Sequence, residues 1–159
     1  MKKFALLAFG LLIGVAASAQ TVTVVSWADL DAYLSKDSKK VRVVNFWATW
    51  CGPCVKELPY FQQAHEKYGD DVEIVLVSLD DVDILDQRVI PFVGRKGLTT
   101  QVWLLNEIDY NMFIPKVDER WSGAIPMTLI IDDNSSERKF LERELSQDEL
   151  NALITEYID

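Results

Sequence analysis

One histidine and two cysteines are all that the 159 residues contain of the nitrogen and sulfur ligands usual for zinc, and that scarcity removes whole classes of chemistry. Three such side chains cannot close a four-ligand zinc site. Covalent haem attachment needs a histidine directly after the second cysteine of a pair, and Val55 stands there instead. Positive charge is short as well. Sixteen Lys and Arg against 25 Asp and Glu leave a formal charge of −9, which argues against nucleic acid or an anionic bilayer surface as partner. Internal repeats and low-complexity tracts are missing too. A chain of this length with 49% hydrophobic and 26% charged residues makes one globular domain with its own core.

The first residues have a different character. Lys2 and Lys3 lead into an apolar run, Phe4–Ala16, too short to span a bilayer comfortably, and Ala17-Ser18-Ala19 ends it. Charged start, apolar middle and small-x-small end read as an export signal over 1–19, with the mature domain over 20–159. Cleavage after Ala19 removes two lysines and takes the charge from −9 to about −11. An uncleaved membrane anchor is the alternative. No cysteine follows the run to carry a lipid.

Thr21–Val25 is β-prone, and Ser26 caps a helix to about Ser35 with Trp27, Leu30 and Leu34 at helical spacing. Val41–Trp47 is apolar nearly throughout, as in a strand buried on both faces of a parallel sheet. A helix from Pro53 to about Tyr68 carries Val55, Leu58, Phe61, His65 and Tyr68 on one stripe, with Pro59 expected to kink it. Val72–Leu79 is the next strand and completes a right-handed βαβ unit. Asp80–Arg95 is expected as a third helix ended by Gly94 or Gly97, with Pro91 weighing against its later half. Gln101–Leu105 reads as a short strand, whereas 106–120 shows no period and takes no assignment. Met127–Ile131 is a strand, 132–136 a turn and Lys139–Glu144 its hairpin partner. Ser146 with Glu149 forms a capping box for a last helix over 147–158.

The strand at 41–47 runs straight into Trp50-Cys51-Gly52-Pro53-Cys54 and then the helix. Unpaired N–H groups and aligned peptide dipoles at a helix N-terminus favour negative charge. Cys51 therefore favours its thiolate, which is the nucleophilic form. Cys54, three residues on, shares its helix face at about 5–6 Å, a spacing that suits a disulfide. Pro53 falls in the first turn, where its missing N–H costs nothing. A dithiol/disulfide redox pair is implied. A structural staple is the alternative: closing so short a loop, it stabilises by about 2 kcal/mol at best, and the helix terminus makes the bond easier to reduce. The redox reading requires that the two side chains not be buried from solvent.

The run Asn45-Phe46-Trp47-Ala48-Thr49-Trp50-Cys51-Gly52-Pro53-Cys54, with Glu57 and Pro59 after it, resembles the thioredoxin superfamily and, more narrowly, its exported TlpA/ResA-like branch. Trp121-Ser122-Gly123-Ala124-Ile125-Pro126-Met127-Thr128 is similar to that family's cis-proline segment. The resemblance implies an α/β, thioredoxin-like fold: a central mixed β-sheet flanked by helices, with an extended connection over 80–126 before the cis-proline strand. It also implies catalytic Cys51 and Cys54 forming a redox disulfide, and a substrate groove made by Trp50, Ile125 and Pro126. Implied partners are disulfide-containing exported proteins and a membrane-borne electron donor. No cofactor, metal or nucleic acid is called for, and a membrane enters only if the signal stays as an anchor.

Asn45 departs from thioredoxins proper, which carry an Asp there to take a proton. Glu57, three residues from Cys54, or Asp81 is the expected substitute; otherwise Glu57 is solvated and Asp81 caps a helix. Gly52 and Pro53 place no charge between the cysteines, which favours a reductase over an oxidase or isomerase. A non-catalytic binding module is the competing class. Elsewhere, His65 reads as half-buried packing, and Trp27, Trp47 and Trp103 as core. Asp80, Asp81, Asp83 and Asp86 read as a solvated helix start, since Leu85 and Pro91 stand where a calcium loop needs Gly and Glu.

Overall fold

The computed structural model describes residues 21–158; the expected export signal over 1–19 lies outside them. Six strands form one sheet: β1 (Val22–Val25), β2 (Val41–Trp47), β3 (Val72–Ser78), β4 (Gln101–Leu105), β5 (Met127–Asp132) and β6 (Glu137–Leu141). Their order is β1-β4-β3-β2-β5-β6. The first four in that order run parallel, while β5 pairs antiparallel with β2 and β6 antiparallel with β5. The mixed sheet expected from the sequence is present, with β2 at its centre.

Side chains alternate across a strand, so β2 feeds two cores. Val41, Val43 and Trp47 pack with residues of α2 (Gly52–Tyr68), α3 (Ile90–Lys96) and α5 (Gln147–Ile158), among them Leu58, Phe61, Val93 and Ile154. Val44 and Phe46 face the other way, toward Leu30 of α1 (Trp27–Ser35) and Phe113 and Val117 of α4 (Tyr110–Val117). All seven β2 residues are buried. Trp47 and Trp103 are core, and half-buried Trp27 stacks on Phe113.

One β2 residue is charged. The Arg42 guanidinium donates to the Tyr33 backbone carbonyl and makes two bonds to the Asp133 carboxylate, at 2.9 and 2.7 Å. Its side chain is 1% exposed, so the pair decides whether that charge is tolerable. Asp133→Ala leaves the guanidinium buried without its counter-charge and is expected to cost about 3 kcal/mol in urea unfolding.

Three expectations change. The helix expected over 80–95 is a 3₁₀ turn (Val82–Ile84), a π-helical turn (Leu85–Val89) and then α3. Pro91 lies in the first turn of α3, where no N–H is required, so the later half is the regular part. The wider turn before it is closed by Ile90 N–H to Leu85 O. Gly97, at φ 63°, ends α3, with Leu98 N–H returning to Val93 O. Within 106–120, Asp109 caps α4 by accepting from Met112 N–H at 3.0 Å, and Phe113 and Val117 bury one face. The hairpin strand is Glu137–Leu141 rather than 139–144; residues 142–145 leave the sheet and pass beside the cysteine end of α2, as described below.

Candidate active site

Beyond Trp47 the chain makes a turn, Ala48–Cys51, closed by Cys51 N–H to Ala48 O at 3.1 Å. Cys51 is the residue that caps α2: its Sγ accepts from Cys54 N–H at 3.3 Å, and its carbonyl accepts from Val55 N–H at 3.0 Å. A disulfide joins Cys51 to Cys54, with Cα atoms 5.3 Å apart. The strand-to-helix junction read from the sequence is thus where the sulfurs sit, and the cap donor points at the one sequence position expected to hold a thiolate.

The Ile125–Pro126 bond is cis. Cys51 Sγ lies 3.7 Å from the Ile125 carbonyl oxygen, so the two separated motifs meet at the sulfur. Trp50 is 63% exposed beside them; Ile125 is half-buried and Pro126 buried. Both cysteine side chains are buried, against the requirement set from the sequence, and that requirement is too strict: exchange needs only the attacking sulfur to keep an accessible edge. Both belong to the core cluster under α2; Cys51, at the cap, keeps 6% of its surface, and Cys54, inside the first turn, keeps none. Access is therefore to Cys51 alone.

Glu57 is fully buried rather than solvated. Its Oε1 accepts from Asn45 Nδ2 at 2.8 Å and its Oε2 from Leu145 N–H at 2.8 Å. Burial pushes its carboxyl up to about 7, against the downward pull of those two donors. The same Asn45 amide donates to Thr128 Oγ1 at 3.0 Å. The carboxylate that β2 lacks at Asn45 is thus supplied by the facing helix, one turn past Cys54. Asp81 is exposed, and its carboxylate caps the 82–84 turn by accepting from Asp83 N–H at 2.9 Å. His65 is half-buried in the last turns of α2. Among the described residues no cluster of His, Cys, Asp and Glu has the makings of a metal site.

The family model described as AhpC/TSA matches residues 15–136. The chain belongs to the AhpC/TSA family. Within this thioredoxin-like family its likeness runs to the TlpA/ResA-like branch. The thiol-disulfide oxidoreductase ResA of Oceanobacillus iheyensis is 32% identical over 124 residues, 77% of this chain and 60% of that protein's own length. Among solved structures, a thioredoxin-related protein of Neisseria meningitidis serogroup B superposes with a TM-score of 0.64 at 25% identity, covering 78% of this chain and 88% of that one. StoA of Bacillus subtilis superposes at 0.58 with 24% identity, covering 77% and 85%. These superpositions establish the thioredoxin-like fold.

For two carboxylates of this AhpC/TSA chain the sequence reading fails: Asp80, read as part of a solvated helix start, is buried, and Glu142 is not singled out. Asp80 is buried behind the turn that carries Trp50. Glu142 holds the loop entering the cis-proline: its Oε1 accepts from Ser122 N–H, the Ser122 hydroxyl and Ala124 N–H. The Trp121 indole N–H donates to Ala124 O at 2.8 Å from the other side. Glu142 gave no local signal, because its partners lie 18 to 20 residues earlier. Asp80 did stand beside the strand end, but a run of aspartates hides which one turns inward.

Proposed function

We propose that this protein is a thiol-disulfide oxidoreductase that reduces disulfides in exported proteins through Cys51 and Cys54. The observation that carries the reading is the Cys51 sulfur at the mouth of α2, 3.7 Å from the Ile125 carbonyl beside cis-Pro126. In the reduced protein the Cys51 thiolate attacks one sulfur of a partner disulfide. That S–S bond breaks, and the departing partner sulfur takes a proton. Cys54 then gives its proton to Glu57 and attacks Cys51 Sγ, which forms the 51–54 bridge and releases the second partner thiolate. Two electrons pass from the cysteine pair to the partner.

Trp50, Ile125 and Pro126 form the groove in which the partner chain lies, and the Ile125 backbone offers it an extended edge. Glu57 is the preferred proton acceptor because it is buried one helical turn from Cys54 with a carboxyl near 7, while Asp81 is engaged as an exposed cap. Residues 1–19 act as the export signal, and a membrane-borne donor returns electrons by the same exchange chemistry run in reverse.

Direction follows from what stabilises the thiolate. The helix terminus does so, and neither Gly52 nor Pro53 adds charge, so a reducing poise is expected. Equilibration with glutathione should give a potential clearly below that of protein disulfide isomerase, about −180 mV; a value near −120 mV would make it an oxidase. Dithiol-dependent reduction of insulin separates an enzyme from a binding module, which shows no turnover.

A further inference from the structure

Asp80 is a buried carboxylate beside the cysteine turn that the exchange scheme leaves unused. It is 3% exposed and stands just past the end of β3. Its Oδ2 accepts from Thr49 N–H at 2.9 Å and from the Ser78 hydroxyl at 2.8 Å, and its Oδ1 accepts from the Thr49 hydroxyl at 2.6 Å. Its own N–H donates to Ser78 Oγ at 3.1 Å. Between these residues, Leu79 N–H donates to Trp47 O at 2.8 Å, so β3 stays bonded to the chain leaving β2 up to this point. The adjacent carboxylates have divided roles: Asp81 caps a turn at the surface, and Asp80 points inward.

Both hydrogen-bond donors of Thr49, its N–H and its hydroxyl, end on this one side chain, and Thr49 lies inside the Ala48–Cys51 turn. Trp50 and Cys51 come next. A capping residue holds its acceptor on the helix N–H only while the chain enters the helix at a fixed angle. Cys51 adopts φ −86° and ψ 101° to do so, with Sγ as the acceptor. Freeing the residue two positions earlier lets that angle vary. The sulfur then spends less time on the Cys54 N–H and loses part of what favours its anion.

We infer that Asp80, acting through both hydrogen-bond donors of Thr49, is a positioning residue for Cys51: it fixes the turn that delivers the sulfur to the mouth of α2. The inference rests on the reading of Cys51 as the attacking sulfur.

Thr49→Val is the sharpest probe, because it removes the hydroxyl while keeping the side chain's shape and leaving the Asp80 carboxylate in place. Glu57, the other buried carboxylate facing this helix turn, is also untouched. The readout is the rate of Cys51 alkylation by iodoacetamide against pH in the reduced protein, with thermal unfolding followed alongside. The alkylation midpoint is expected to rise by about half a pH unit or more in Thr49→Val, with Thr49→Ser restoring the wild-type profile. Ser78→Ala, which removes a donor to Asp80 from the strand side, is expected to move the midpoint the same way by less, and serves if Thr49→Val does not fold. A folded Thr49→Val with the wild-type midpoint overturns the inference even if its melting temperature falls. So does a Thr49→Ser that behaves like Thr49→Val, or, where that variant fails to fold, a Ser78→Ala with no shift. Wild-type protein that cannot reduce insulin would sink the redox reading instead, and the alkylation comparison would still decide the role of Asp80.

Discussion

Reduced Cys54→Ser protein mixed with insulin should react once and stop, leaving a covalent adduct visible as added mass on a non-reducing gel. Turnover should fall on the order of a thousandfold or more, because nothing resolves the mixed disulfide. The reciprocal Cys51→Ser protein should form almost no adduct. Cys54 has no exposed surface, and an incoming disulfide must align with the attacking sulfur along the bond being broken. Cys51 alone sits at the rim, against the Ile125 carbonyl. Equal adduct yields from the two variants would show that burial does not select the attacking sulfur, and the assigned order of events would have to be abandoned.

Stability should fall as pH rises from 5 to 8, and Glu57 is the reason. Its carboxyl is raised from 4.5 to about 7 in the folded protein, whereas the unfolded chain gives up that proton near the ordinary value. Between those two points the native state holds a proton that the unfolded state has lost, so raising pH favours unfolding. The stabilisation is complete below the unfolded value and disappears as pH passes through 7. Its size is on the order of 3 kcal/mol, measured as the difference in urea unfolding between pH 5 and pH 8. Glu57→Gln should be nearly flat over that window. A wild-type protein equally stable at both ends would remove the case for a perturbed carboxyl. The same variant should slow resolution of the mixed disulfide about 10- to 100-fold, since Cys54 would have no acceptor for its proton.

What the sequence disclosed was what is carried by local pattern. The β2–α2–β3 unit follows from a buried apolar run, a helical stripe and a second apolar run, and the cysteines fall where strand becomes helix. Helix caps are short-range chemistry: Ser26 caps α1 as expected, with Asp29 completing a box not read from the sequence, and the expected box of Ser146 with Glu149 forms. Contacts between elements were not legible in that way. Helix spacing places Glu57 near Cys54 as one of two candidates, but its burial and its Asn45 donor appear only when β2 is laid against α2. Helix α4 was hidden because Pro115 stands inside it and its cap follows an irregular polar stretch. Residues 142–144 alternate in charge like an edge strand, yet Glu142 bonds the cis-proline loop and Glu144 pairs with Lys56 of α2.

The Trp121 indole is bonded to the Ala124 carbonyl, and its ring packs against Phe46 of β2 and Phe113 of α4. Helix α4 is therefore joined through Trp121 to the loop that carries Ile125 and cis-Pro126, the proposed wall of the partner groove. If that loop receives a partner as proposed, substitutions along the buried face of α4 re-cut the shape it offers while leaving the cysteine pair as it is. Partner choice and sulfur reactivity can then evolve on separate parts of the chain.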